Sequence, residues 1–154
     1  MADHVLEMRF WVPRPRADVF AFVADPRNLE RVVPRIRLQS PPPPLEAGAV
    51  LDFRVAILGV PTTWRMIVRE WDPPHRFVDA LVRGPFARWE HRHRFVEGPD
   101  HEAPDGRLGT WVEDRLTYRF PGGPLGHVLD ALGGSARVEA AFAQRRRRLR
   151  ALLG

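Results

Sequence analysis

The segment Trp89-Glu90-His91-Arg92-His93-Arg94-Phe95 sets two imidazoles two residues apart. Side chains alternate across a β-strand, so His91 and His93 project from one face of any strand that carries them. The intervening residues, Arg88, Glu90, Arg92 and Arg94, are all charged and belong in water. Trp89, His91, His93 and Phe95 therefore turn inward. The same alternation in Val112–Phe120 sends Glu113, Arg115, Thr117 and Arg119 outward and turns Val112, Asp114, Leu116, Tyr118 and Phe120 inward. In Arg76–Arg83 the inner set is Phe77, Asp79 and Leu81. An otherwise apolar wall thus receives His91, His93, Asp79, Asp114 and Tyr118.

That combination admits three chemistries. His-x-His with a carboxylate from Asp79 or Asp114 has part of a divalent-metal set and lacks an obvious fourth ligand. A histidine beside an aspartate, with Tyr118 as proton donor, suits general acid–base catalysis. A cyclase or dehydratase acting on a poly-ketone needs a base for an activated proton and a donor for the developing oxyanion. His91, His93, Asp114 and Tyr118 are the catalytic candidates under that reading. The third option is recognition, with these groups orienting the polar end of a bound molecule. An unsatisfied buried polar group costs about 1–3 kcal/mol, so the wall faces either a hydrated or liganded cavity or a self-satisfied His–Asp–Tyr network. Covalent catalysis has little to draw on: Ser40 and Ser135 are the only serines, and the chain has no cysteine.

The positioning elements follow from periodicity. His4–Val12 alternates as a first strand, stopped by Pro13-Arg14-Pro15. Pro15 opens a short helix with Asp18 in its first turn, and Asp25-Pro26 caps a second that ends at Pro34. Strands follow at Arg35–Gln39, Val50–Leu58, Thr62–Trp71, Arg76–Arg83, Ala87–Glu97 and Leu108–Phe120. Pro41–Pro44 is a stiff connection, and Gly59-Val60-Pro61, Asp72-Pro73-Pro74-His75 and Gly84-Pro85 are turns, so neighbouring strands pair antiparallel. Leu51, Phe53, Val55 and Ile57 face inward, as do Trp64, Met66 and Val68. The C-terminal segment is a long helix whose broad apolar face includes Leu125, Val128, Leu129, Leu132, Val138, Phe142, Leu149, Leu152 and Leu153, interrupted and kinked at Gly133-Gly134.

Composition bounds the rest. The 154 residues fit one domain, with a formal net charge of +5, and all 24 basic residues are arginine. Without lysine there is no Schiff base and no P-loop amine. Neither a signal peptide nor a membrane-spanning run is evident, so a cytoplasmic location is expected. Four consecutive arginines, Arg145–Arg148, with Arg150, suit either phosphate contact or the dipole of a helix C-terminus; we take the second reading. Nucleic acid is not an expected partner. On the outer strand positions Arg54, Arg65, Arg69, Arg88, Arg92, Arg94, Arg115 and Arg119 outnumber Asp52, Glu90 and Glu113. A basic interaction surface, peripheral contact with an anionic membrane and homo-oligomer formation are left open.

The element order, the segments Gly84-Pro85-Phe86 and Trp89–Phe95, and Gly109-Thr110 leading to Asp114, Tyr118, Pro121 and Gly122–Gly126 resemble the START-like, or SRPBCC, superfamily. This superfamily includes polyketide cyclase/dehydrase-like proteins and coenzyme Q-binding proteins. The resemblance implies an α+β helix-grip fold across residues 1–154: a curved antiparallel seven-stranded sheet around a long C-terminal helix, with two short helices after strand one. It also implies a cavity for a hydrophobic or amphipathic molecule such as a lipid, isoprenoid quinone or polyketide-like compound. Members of the superfamily range from carriers to enzymes, so it does not fix a reaction. Metal dependence is not typical of it, and neither a metal nor a cofactor is expected. The expected lining is Phe53, Val55, Trp64 and Met66 as apolar walls, with Trp89 stacking on a ring. Leu129 and Phe142 contribute from the helix, and Asp79, His91, His93, Asp114 and Tyr118 meet the polar end.

Overall fold

The computed structural model describes residues 2–154. Seven strands, β1 (His4–Val12), β2 (Ile36–Leu38), β3 (Val50–Ile57), β4 (Val60–Asp72), β5 (Arg76–Arg83), β6 (Arg88–Pro99) and β7 (Leu108–Arg119), make one sheet. Their order is β1-β7-β6-β5-β4-β3-β2, with every neighbouring pair antiparallel. Short connections fold β3 through β7 into a meander, β2 extends it at the β3 edge, and β1 closes on the last strand. Between β1 and β2 run α1 (Arg16–Ala24), a 3-10 turn (Pro26–Asn28) and α2 (Leu29–Val32). The Asp25 carboxylate caps that turn by accepting the Arg27 backbone N–H at 3.0 Å. The curved sheet grips the C-terminal helix as expected, and no helix among the described residues is long and apolar enough to cross a membrane.

Two expectations need correction. The C-terminal segment is not one kinked helix but two, α3 (Gly123–Ala131) and α4 (Gly134–Leu153). Gly133 between them has φ of 79°, in the left-handed region, and a Cβ at Gly134 would run into the Phe120 ring. The break at Gly133 puts α3 out of phase with α4. Leu125, Val128 and Leu132 are consequently exposed, while Leu129 packs against the cluster around Tyr118. The β3–β4 turn is centred on Leu58-Gly59 rather than on Gly59–Pro61. With φ of 53° and 79°, these two residues make the positive-φ, two-residue turn that matches strand twist.

The interior has two apolar ends. One is packed from Phe10, Val12, Val19, Phe20, Phe77, Phe95, Val112, Leu149 and Leu153. The other joins Phe53, Trp64 and Met66 to Leu116, Tyr118, Phe120, Val138 and Phe142 through shared contacts with Phe86 and Trp89. β5 buries Val78 and Ala80 as well as Phe77, and in the β5–β6 register these two lie opposite Arg92 and Glu90.

Candidate functional site

A polar belt separates these two ends, one level deep across four elements. On β5 it is Asp79, between Phe77 and Leu81; on β6 it is His91 and His93, between Trp89 and Phe95. On β7 it is Asp114, between Val112 and Leu116; on α4 it is Arg145, between Phe142 and Leu149. Strand register produces the meeting, since His93 pairs with Asp114 across β6–β7 and His91 with Asp79 across β5–β6.

The belt is held by charge-assisted contacts. His91 Nε2 lies 2.9 Å from Asp114 Oδ1, and Arg145 Nη1 donates to Asp114 Oδ2 at 2.6 Å. His93 Nδ1 is 3.5 Å from both Asp114 Oδ1 and Arg145 Nη2. His93 Nε2 approaches Asp79 Oδ2 at 3.4 Å without hydrogen-bond alignment, which leaves that buried nitrogen unpartnered. Phe77 stacks on His93 at 4.0 Å, and Phe142 meets His91 edge-on at 5.1 Å.

These surroundings shape the titrations. Burial opposes the charge of Asp114, but Arg145 and the two histidines outweigh it and hold the carboxyl far below the ordinary carboxylate range. Asp79 follows the same logic: burial raises its pKa, while His93, His91 and Arg145 bring it below the usual value. Burial, reinforced by His91, pushes His93 down to about 4 against the pull of Asp79 and Asp114, so its imidazole is neutral at pH 7. Tyr118 stands outside the belt, four residues beyond Asp114 along β7 and so about 13 Å away. It stacks on His4 at 5.0 Å, and Ser135 Oγ lies 3.4 Å from His4 Nδ1.

Arg145 is the member that sequence reasoning missed, and its burial takes that one residue out of the arginine run read as helix-end charge. Only Arg147 and Arg150 are simply exposed there, while Arg148 donates to the Arg31 carbonyl at 2.8 Å. The signal was present in the spacing. The residues α4 buries are Val138, Phe142, Arg145, Leu149 and Leu153, a stripe at helical period that takes in the first arginine of the run.

The apolar lining residues meet on the other side of the belt. Trp64 stacks with Phe53 at 5.8 Å and meets Trp89 edge-on at 5.0 Å, and Trp89 lies 6.0 Å from Phe142. Met66 is buried in the same cluster with Val55 against it. Next to this cluster an open cleft of about 530 Å³ lies between the β3–β4 turn and α4, lined by Pro34, Arg35, Arg37, Ala56, Leu58, Gly59 and Arg137. None of the expected lining residues is among those seven; the cleft is a surface feature beside their cluster.

Residues 12–145 match the family model described as polyketide cyclase / dehydrase and lipid transport. No curated protein matches the chain. Among solved structures, TTHA0849 from Thermus thermophilus is 21% identical with a TM-score of 0.71, the match covering 98% of this chain and 100% of that one. A START superfamily protein from Mycobacterium smegmatis is 16% identical with a TM-score of 0.68, covering 97% of each chain. The major latex-like protein 151 of Panax ginseng is 12% identical with a TM-score of 0.62, covering 98% of this chain and 97% of that one. At these identities the structures establish a shared fold. The family match spans most of the sequence, and the chain belongs to the polyketide cyclase / dehydrase and lipid transport family, with the START-like helix-grip fold.

Proposed function

We propose that this protein binds a hydrophobic or amphipathic small molecule, such as a lipid, isoprenoid quinone or polyketide-like compound, between the sheet and α4. The apolar body lies among Phe53, Val55, Trp64, Met66, Trp89, Leu129 and Phe142. Its polar end meets the belt of Asp79, His91, His93 and Asp114, with Tyr118 on the same inner face. One observation carries the reading: a charged belt placed across an interior, with an aromatic cluster on one side of it and a packed apolar core on the other. A chain built only for stability gains nothing from a buried ion pair that well-packed apolar residues can replace. A pocket with apolar walls and a few convergent polar groups is the usual form of a small-molecule site. Family membership supports the same reading. The open cleft beside Leu58, next to the aromatic cluster, is the proposed way in.

Native mass spectrometry of the protein purified from its own host tests this. The expected result is an added mass that disappears on organic extraction and is recovered as one hydrophobic compound. Protein that carries nothing, and takes up no fatty acid, quinone or aromatic polyketide when these are supplied, overturns it.

A further inference from the structure

The belt carries an imbalance that its own contacts do not settle. Asp114 is paired with the belt's one guanidinium, that of Arg145, whereas Asp79 has only the 3.4 Å approach of His93 Nε2, and a carboxylate left without a full partner in such a setting is costly. The His93 side chain is buried, with 6% of its surface exposed, yet Nε2 has no hydrogen-bond partner. We propose that Asp79, His91 and His93 bind one divalent transition-metal ion of the zinc class.

One ligand atom from each of these three residues lies within 4.8 Å of the other two. Behind them stands Asp114, whose Oδ1 is 2.9 Å from His91 Nε2 and 3.5 Å from His93 Nδ1. A carboxylate that takes the far N–H of an imidazole fixes its tautomer, the arrangement that typically orients metal-binding histidines. With Nε2–H given to Asp114, His91 keeps a lone pair on Nδ1. With its proton on Nδ1, facing the same oxygen at 3.5 Å, His93 keeps its lone pair on Nε2, the unpartnered atom, and the 3.5 Å approach of Arg145 Nη2 to Nδ1 is then a contact without a hydrogen bond. Arg145 occupies the other oxygen of Asp114, which leaves Oδ1 to the histidines. Two nitrogens and one carboxylate oxygen suit zinc, cobalt or iron rather than calcium or magnesium, which favour all-oxygen sets. Asp79 is the least buried of the three, with 27% of its side chain exposed, and so provides the route for a hydrated ion.

Three protein ligands leave coordination positions free. Their assignment to the polar oxygen of a bound molecule rests on the ligand-binding reading above; binding of the ion does not. The test therefore uses cobalt(II) alone, without any organic ligand, on the full chain stripped with chelator. The expected result is one cobalt per chain with visible absorption from nitrogen and oxygen coordination. Asp79→Asn and His93→Ala should each weaken binding by at least about tenfold, and Asp114→Asn by about 10–100-fold. Near-UV circular dichroism checks that each variant is folded. Asp79→Asn, at the part-exposed position, keeps the test decisive if His93→Ala does not fold. Two results overturn the proposal: no stoichiometric cobalt spectrum in the wild type, or wild-type affinity retained in Asp79→Asn, which would place the ion on exposed histidines such as His75 and His101.

Discussion

Arg145 Nη1 sits 2.6 Å from Asp114 Oδ2 with both side chains buried, so one ion pair fastens α4 to the middle of β7. Removing one partner strands the other charge inside the protein. Asp114→Asn and Arg145→Met should each lower stability by about 3–5 kcal/mol in urea unfolding. The double variant Asp114→Asn/Arg145→Met should lose clearly less than the two single losses together. Strict additivity would show that the pair does not act as a unit.

Tyr118 is the only tyrosine in the chain, so phenolate absorbance reports it alone. Burial raises its pKa above the ordinary 10.0, with Glu139 and Asp130 adding to the effect and Ser135 opposing it. The folded state then holds this proton more tightly than the unfolded state. Its contribution to stability is complete below the unfolded pKa and is lost as pH climbs through the folded one. An alkaline titration should give a native midpoint above 10.0 that falls back in denaturant. A native midpoint at or below the denatured one contradicts the burial argument.

Leu58 occupies a left-handed turn position where asparagine or glycine is favoured, with φ of 53°, and its side chain is exposed at the rim of the cleft. A left-handed conformation costs an ordinary side chain about 1–2 kcal/mol. Leu58→Asn should raise the urea midpoint while slowing or weakening uptake of a fluorescent fatty acid. A stabilised variant with unchanged uptake would remove Leu58 from the route of entry.

Gly133 supplies the left-handed break between α3 and α4. Gly133→Ala should cost about 1–2 kcal/mol in thermal or urea unfolding, because the conformation penalises any Cβ. An unchanged or raised stability would show that α3 and α4 run on as one helix without penalty.

The strand faces were legible in the sequence because charge alternates with apolar residues at period two. Asp114, Leu116 and Tyr118 on β7, and His91 and His93 on β6, all face inward as that pattern requires. The meeting of His93 with Asp114 was not legible, since it depends on register between strands and not on alternation within one. Arg145 was obscured by its neighbours: four consecutive arginines read as surface, and only the spacing from Phe142 and Leu149 marks the first as internal. The fates of Leu125, Val128 and Leu132 were masked differently. Their apolar period continues through Gly133-Gly134 in the sequence, but a single left-handed residue ends the helix and changes which face meets the core.

The five tryptophans offer the most direct measurement of whether ligand occupies the space between sheet and helix. Trp64 is buried in the aromatic cluster and Trp89 packs against it, whereas Trp11 and Trp111 pair in register on the other face of the sheet. Indole N–H resonances, followed by NMR during titration with a fatty acid or a quinone, separate the two faces. Saturable shifts at Trp64 and Trp89, with Trp11 and Trp111 unmoved, are the predicted result. Shifts confined to Trp11 and Trp111, or no shift at saturating ligand, would contradict it.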